Sequence, residues 1–411
     1  MTTMSLSTTA LPQRSPLVTR PLLLRFVSIV ACSVGFFLPL AAVPLLADAN
    51  SPVGGGVANG ALLAATVAGE LASPWLMQRV GVRAVLAAGL VLLGAPTFVL
   101  LFAVSLPVLV TTGVLRGLGF ALAIVAGGAV TAAIVPADRR GEGLALAGLV
   151  SAVPSLLALP LGVTLSAVAG PGWVFAIAGA VPLFAVASVG ALPGRAAGAQ
   201  TAQVSSRTSG RSGTGILVGL RSPELLRPAL VFAASAAVAG VVVTCVPGAL
   251  TGSASALAPT LLLVQPAAAG LGRWLAGRYG DRLGHRRLFL PGIALSAAGM
   301  AAMAAIASAP LVLAGGVVFG LGFGTLQNST ISAMYERADE RQFATVSALW
   351  NAGYDGGMAA GAFAVSALAA LVGPAVAFLA LAVALPLVLT LVRRSASTSA
   401  SPSASTTDPT R

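Results

Sequence analysis

The sequence predicts an all-α membrane protein of twelve transmembrane helices arranged as two six-helix halves. Three observations predict it. Of 411 residues only 8% are charged and 57% are apolar, where a soluble chain carries roughly a quarter charged residues. Such a chain cannot cover a water-exposed surface. Apolar runs of about 20 residues recur, each long enough to cross the hydrocarbon layer as a helix. The whole pattern then repeats after 203 positions.

The runs lie near 22–46, 55–77, 84–105, 107–134, 144–169, 173–193, 228–250, 257–277, 288–308, 310–333, 345–370 and 373–392. The first is followed by Ala47-Asp48-Ala49, which looks like a signal cleavage site. It exceeds the roughly 7–15 residues of a signal-peptide core, and the repeat needs it as a span. Short turns separate most runs. One connection is long: 194–227, rich in Ser, Gly, Ala and Arg, reads as a flexible linker between halves. The expected organisation is therefore a tail 1–21, a half 22–193, the linker 194–227, a half 228–393 and a disordered Ser/Ala/Thr tail 394–411.

Arginine placement orients the spans. All 23 Lys+Arg residues are arginine. Counting the N-terminal tail to Arg25, alternate connections hold 3, 2, 2, 5, 4, 2 and 3 of them, and the intervening connections hold none. Positive charge marks the cytoplasmic side, so both termini are expected in the cytoplasm and the protein in the cell membrane.

Composition also excludes chemistry. Without lysine there is no P-loop ATPase and no Schiff-base enzyme. One histidine (His285) and two cysteines (Cys32, Cys245) cannot build a His/Cys metal cluster and give a catalytic triad little material. No enzyme activity, cofactor, metal or nucleic-acid partner is expected.

The duplication is specific. Shifted by 203, Arg79, Gly81 and Arg83 meet Arg282, Gly284 and Arg286; Gly89 and Gly113 meet Gly292 and Gly316. Gly117, Gly119 and Phe120 meet Gly320, Gly322 and Phe323, and Gly170-Pro171 meets Gly373-Pro374. Six spans plus six in the same orientation make a parallel repeat about an axis along the membrane normal.

After span 8 the chain reads GRYGDRLGHRR. Gly277, Asp281, Arg282, Gly284, Arg286 and Arg287 resemble the cytoplasmic loop signature of the major facilitator superfamily. The first-half copy is degraded, with Pro74 for the leading Gly and Gln78 for the Asp. The resemblance covers residues 20–393. It implies the two-half facilitator fold, spans 2 and 11 packed across the interface, and a cytoplasmic latch using the Asp281 carboxylate and nearby arginines. Leu115-Arg116-Gly117-Leu118-Gly119 resembles the family's fourth-span arginine motif, which accompanies proton coupling. Leu159-Pro160-Leu161-Gly162 loosely resembles the antiporter element of span 5. Residues 327–361 are similar to a branch of bacterial drug and metabolite exporters that includes exporters of opine-type metallophores.

Four ionisable residues fall well inside apolar runs: Glu70, Arg116, Arg273 and Asp355. Each costs roughly 3 kcal/mol or more at mid-bilayer, so each is expected to face the bundle interior and to pair. Glu70 lies about 12 Å from the cytoplasmic end of its span and Asp355 at a comparable depth. These carboxylates are candidates for carrying a proton, with structural ion pairing as the competing reading. Trp350, Asn351, Tyr354 and Asp355 share one strip of span 11 through i, i+4 spacing. With Gln327 and Asn328 on span 10 they form the candidate cavity for an amphipathic solute, although amides there serve helix packing equally well. The expected function is proton-driven export of a small amphipathic compound, by a monomer embedded in the lipid bilayer. A proton-coupled importer and a non-transporting receptor on the same fold are the alternatives.

Overall fold

The computed structural model describes residues 19–136, 140–192, 220–250, 252–338 and 342–398. Among them there are helices and no strands. The first half runs α1 (Arg20–Leu40), α2 (Ala42–Asp48), α3 (Gly54–Val80), α4 (Val82–Gly94), α5 (Leu106–Ile134), α6 (Arg140–Ala169) and α7 (Pro171–Gly190). The second runs α8 (Pro223–Thr244), α9 (Val246–Ala249), α10 (Ala258–Leu283), α11 (Phe289–Met303), α12 (Ala309–Tyr335), α13 (Phe343–Val372) and α14 (Pro374–Thr398). A bilayer forces this choice, because only a helix satisfies its own backbone groups without water.

Ten helices among the described residues are long and apolar enough to cross a membrane, counting α1 with α2 as one. The expected ninth run appears as α11, with 15 residues, and the apolar stretch of the twelfth is Pro374–Val388. The helix α14 continues past residue 393, into the tail read as disordered. The remainder of that tail, the linker residues 193–219 and the first 18 residues lie outside the described set.

The duplication extends to backbone geometry. The four glycines with positive φ are Gly81 and Gly284 (89° and 86°) and Gly170 and Gly373 (91° and 83°). They are two repeat-related pairs, each turning the chain sharply between consecutive helices where a side chain would be strained. Helix crossings repeat too. Gly117 lies against the Leu62 carbonyl and Gly320 against that of Gln265, which is the residue equivalent to Leu62. Gly119 and Gly322 likewise lie against the carbonyls of Gly89 and Gly292.

Span 1 is not one smooth helix. Proline has no N–H to give the carbonyl four residues back, so Pro39 leaves Gly35 O, and Pro44 leaves Leu40 O, without the usual donor. The helix breaks at Ala41, between α1 and α2. Both carbonyls recover a donor from other helices, described below.

Candidate functional site

Between the halves, α3 runs antiparallel to α13, the packing of spans 2 and 11 that the family resemblance implies. Close approach depends on glycine: Gly56 meets Ser366 and the Ala362 carbonyl, and Gly60 meets Phe363 and the Ala359 carbonyl. These contacts fall at the end of the molecule whose connections lack arginine. Asn59 reinforces them, donating from Nδ2 to Thr244 Oγ1 of the opposite half at 2.9 Å and to Leu40 O at 3.0 Å. Asp48 accepts from the Gly55 amide at 2.7 Å and lies beside Gly248 of the second half. The two halves thus touch at this end, along α3 and α13 and at Asp48.

Continued towards the arginine-rich end, the same antiparallel register brings Glu70 to the level of Asn351, with Asp355 one helical turn away. The Glu70 and Asp355 carboxylates lie within electrostatic range of each other. Asp355 is 8% exposed, Glu70 is half-buried and Asn351 is exposed. Arg273, on α10, is exposed and stands within range of Tyr354. Glu70 and Asp355 thus stand on the two helices, α3 and α13, that meet between the halves.

The fourth intramembrane charge lies elsewhere. Arg116 is 1% exposed and buried within the first half, where Nη2 donates to Gly35 O at 3.0 Å and Phe36 O at 3.3 Å. Its Nε has no hydrogen-bond partner among the described residues. Instead of meeting a carboxylate, this guanidinium bonds the backbone that Pro39 opened.

The strip on α13 divides by direction. Trp350 stacks on Phe232 of α8, with centroids 4.3 Å apart and planes 9° from parallel, and donates from Nε1 to Thr330 Oγ1 at 3.1 Å. Tyr354 stacks on the same Phe232 at 5.7 Å and leans on Phe323 of α12. These two rings turn into the second half, while Asn351 stays open. On α12, the Gln327 Oε1 is buried with no partner among the described residues. Asn328 accepts from the Ser332 hydroxyl at 3.4 Å and faces Gly277.

The loop signature is helical for most of its length. Gly277, Asp281 and Arg282 belong to the last turns of α10, Gly284 ends the helix, and Arg286 and Arg287 lie in a 3-10 turn, His285–Leu288. The Asp281 side chain is 78% exposed, and its Oδ1 lies 3.7 Å from His285 Nε2. His285 Nδ1 sits 2.6 Å from Glu336 Oε1, at the end of α12. The tie between loop and helix thus runs through a residue pair the signature does not contain. Partial burial, then Arg337, hold the Arg286 guanidinium below the ordinary arginine range; Glu224 and Glu336 oppose the effect.

Arg25, counted above with the N-terminal tail, is inside α1 and 4% exposed. Its Nε donates to Gly127 O at 3.0 Å and Thr131 Oγ1 at 3.1 Å. An arginine three residues into an apolar run was the signal that could have found it. The inter-half link of Asn59 had a similar signal, a lone amide in a glycine-rich helix start.

Solved structures give the architecture a context. A variant of the nucleoside transporter NupG aligns with a TM-score of 0.73 at 13% identity, over 92% of this chain and 99% of that one. A variant of the peptide transporter POT in complex with sulfate aligns with a TM-score of 0.73 at 15% identity, over 94% and 96%. The xylose transporter XylE from E. coli, in a partially occluded inward-open conformation, aligns with a TM-score of 0.66 at 14% identity, over 92% and 98%. At such identities the likeness is one of fold alone. Comparison with curated proteins gives no match. The profile of the Major Facilitator Superfamily matches residues 25–260 and 229–410. On that match, over most of its length and in both halves, the chain belongs to the major facilitator superfamily.

Proposed function

We propose that this protein is a twelve-span, proton-coupled transporter of the cell membrane that exports a small amphipathic compound by alternating access. The observation that carries the reading is the antiparallel packing of α3 on α13, whose register sets Glu70 and Asp355 at neighbouring levels on opposite sides of the boundary between the halves. A carboxylate inside the membrane is a functional candidate by default, and a proton carried by either of these is held where the halves meet. When the halves rock, the pair separates and that proton is free to leave. Arg273, on the equivalent helix of the other half, is the cation that can approach an ionised member of the pair.

The arginine-rich connections orient the molecule with both termini in the cytoplasm. The halves then touch on the outside, the arrangement in which an exporter collects its cargo. Asn351 supplies an open amide beside Asp355, and the unpartnered Gln327 Oε1 is an acceptor for a solute donor. Trp350 and Tyr354, packed on Phe232, support this strip of α13 from behind, and Asn328 lies on the neighbouring α12. The likeness of residues 327–361 to drug and metabolite exporters favours outward movement.

Cells expressing the protein, loaded with cationic ethidium or anionic fluorescein, test the direction. The export reading expects reduced steady-state accumulation of at least one dye, abolished by collapsing the proton gradient. Raised accumulation identifies the importer. A dye that binds the purified protein but crosses no proteoliposome membrane identifies a receptor.

A further inference from the structure

The first half holds a buried guanidinium that the coupling reading does not use. Arg25 Nε is bonded to Gly127 O and Thr131 Oγ1, and Nη1 to Ser28 Oγ at 2.7 Å. Ser28 in turn donates to the Arg25 carbonyl at 2.8 Å. Every one of these acceptors is neutral. Among the described residues Arg25 forms no ion pair, and Nη2 makes no hydrogen bond.

Beside it lies a cavity of about 190 Å³, walled by Arg25, Cys32, Ile124, Gly128, Thr131 and Ser151. Two adjacent glycines shape it. A side chain at Gly127 would overlap Arg25 Nη2, whereas one at Gly128 would meet nothing within 4 Å. The first glycine makes room for the guanidinium and the second leaves the cavity floor open. The Ser151 hydroxyl, paired with Ser33 Oγ at 3.4 Å, stands on the opposite wall and can donate inward.

A cation in apolar surroundings without a counter-charge is costly, and the planar guanidinium fork matches a carboxylate. A mixed lining of one cation, one hydroxyl and aliphatic walls suits an anionic group attached to an apolar body. We infer that the cavity beside Arg25 binds the anionic group, a carboxylate, of the solute this protein moves. The inference rests on the transport reading and names the substrate class: an amphipathic organic acid or zwitterion whose acidic end docks in the first half.

The test is thermal stability of the full chain in neutral detergent at fixed ionic strength, with benzoate as probe. Benzoate is expected to raise the melting temperature, while neutral benzyl alcohol and cationic benzamidine are not. Gly128→Leu, whose Cβ meets nothing within 4 Å and whose side chain occupies the cavity, is expected to melt as the parent does and to lose the benzoate shift. Arg25→Gln is expected to weaken the response about tenfold, with Arg25→Lys recovering part of it. An equal shift from benzyl alcohol, or an undiminished benzoate shift in Gly128→Leu, overturns the inference. Stabilisation by phosphatidylglycerol with none by benzoate assigns the cavity to a lipid headgroup and also overturns it. No gradient is applied, so this result and the coupling of Glu70 and Asp355 stand or fall separately.

Discussion

Arg116 donates to the Gly35 carbonyl at 3.0 Å, the oxygen that Pro39 leaves without its helical donor. Asn59 does the same for Leu40 O, which Pro44 leaves open, and passes its other hydrogen to Thr244 of the second half. Span 1 is therefore broken twice and mended twice by side chains from other helices. One repair holds the first half together; the other also ties the halves to each other. In a bilayer an unsatisfied carbonyl costs several kcal/mol, so both repairs matter to the shape of span 1.

The first repair predicts a coupling. Arg116→Gln should lower the melting temperature of the purified protein, by an amount equivalent to roughly 1.5–3 kcal/mol for a lost charged hydrogen bond. Pro39→Ala returns an N–H to Gly35 O. In that background Arg116→Gln should cost clearly less, a non-additivity that a double-mutant cycle reads directly. Strictly additive losses would show that Arg116 serves some other partner.

The second repair predicts a shift in conformation. Thr244→Val removes the hydroxyl that Asn59 holds across the interface, at a cost of about 1 kcal/mol, which is roughly a fivefold change in a two-state population. Spin labels at Pro52 and Ala256 report the distance between halves at this end. The long-distance fraction should grow several-fold in Thr244→Val. An unchanged distribution would mean that the Asn59 bond contributes nothing to closure.

A third expectation concerns the loop after α10. His285 and Glu336 are 2.6 Å apart, while the Asp281 side chain is 78% exposed. Exposed charges contribute little, about 0–1 kcal/mol. Glu336→Ala and His285→Ala should each reduce transport, and the double variant should lose little more than either alone. Asp281→Asn should be the milder change. Transport that falls most in Asp281→Asn would restore the aspartate of the loop signature as the centre of the latch.

Much of this architecture was legible in residue order. The shift of 203 positions foretold Gly81 with Gly284 and Gly170 with Gly373, because a repeated backbone needs the same left-handed turn in each copy. The same shift aligned Gly117 with Gly320; their matching approach to a carbonyl is visible only in the structure, where a glycine facing a carbonyl is a constraint that duplicates with the fold. Less legible was direction. Spacing puts Trp350, Asn351, Tyr354 and Asp355 on one strip, yet only the neighbouring Phe232 and Phe323 decide that the rings turn inward. Arg25 was hidden for a related reason. A cation near the end of an apolar run reads as the start of a tail, because a long side chain can reach the headgroups from there. The carbonyl repairs needed the third dimension, because Arg116 and Gly35 are 81 residues apart.

Glu70 and Asp355 are proposed to carry the proton whose movement drives transport. The most direct measurement is solute movement in reconstituted vesicles under an imposed pH gradient, for the parent, Glu70→Gln and Asp355→Asn, beside solute exchange at equal pH. Neutral side chains of the same shape cannot load or release a proton. Either substitution is expected to abolish gradient-driven movement, while at least one variant still binds or exchanges the solute. Gradient-driven transport at the parent rate in both variants would contradict this role and leave the charges as structural members of the interface.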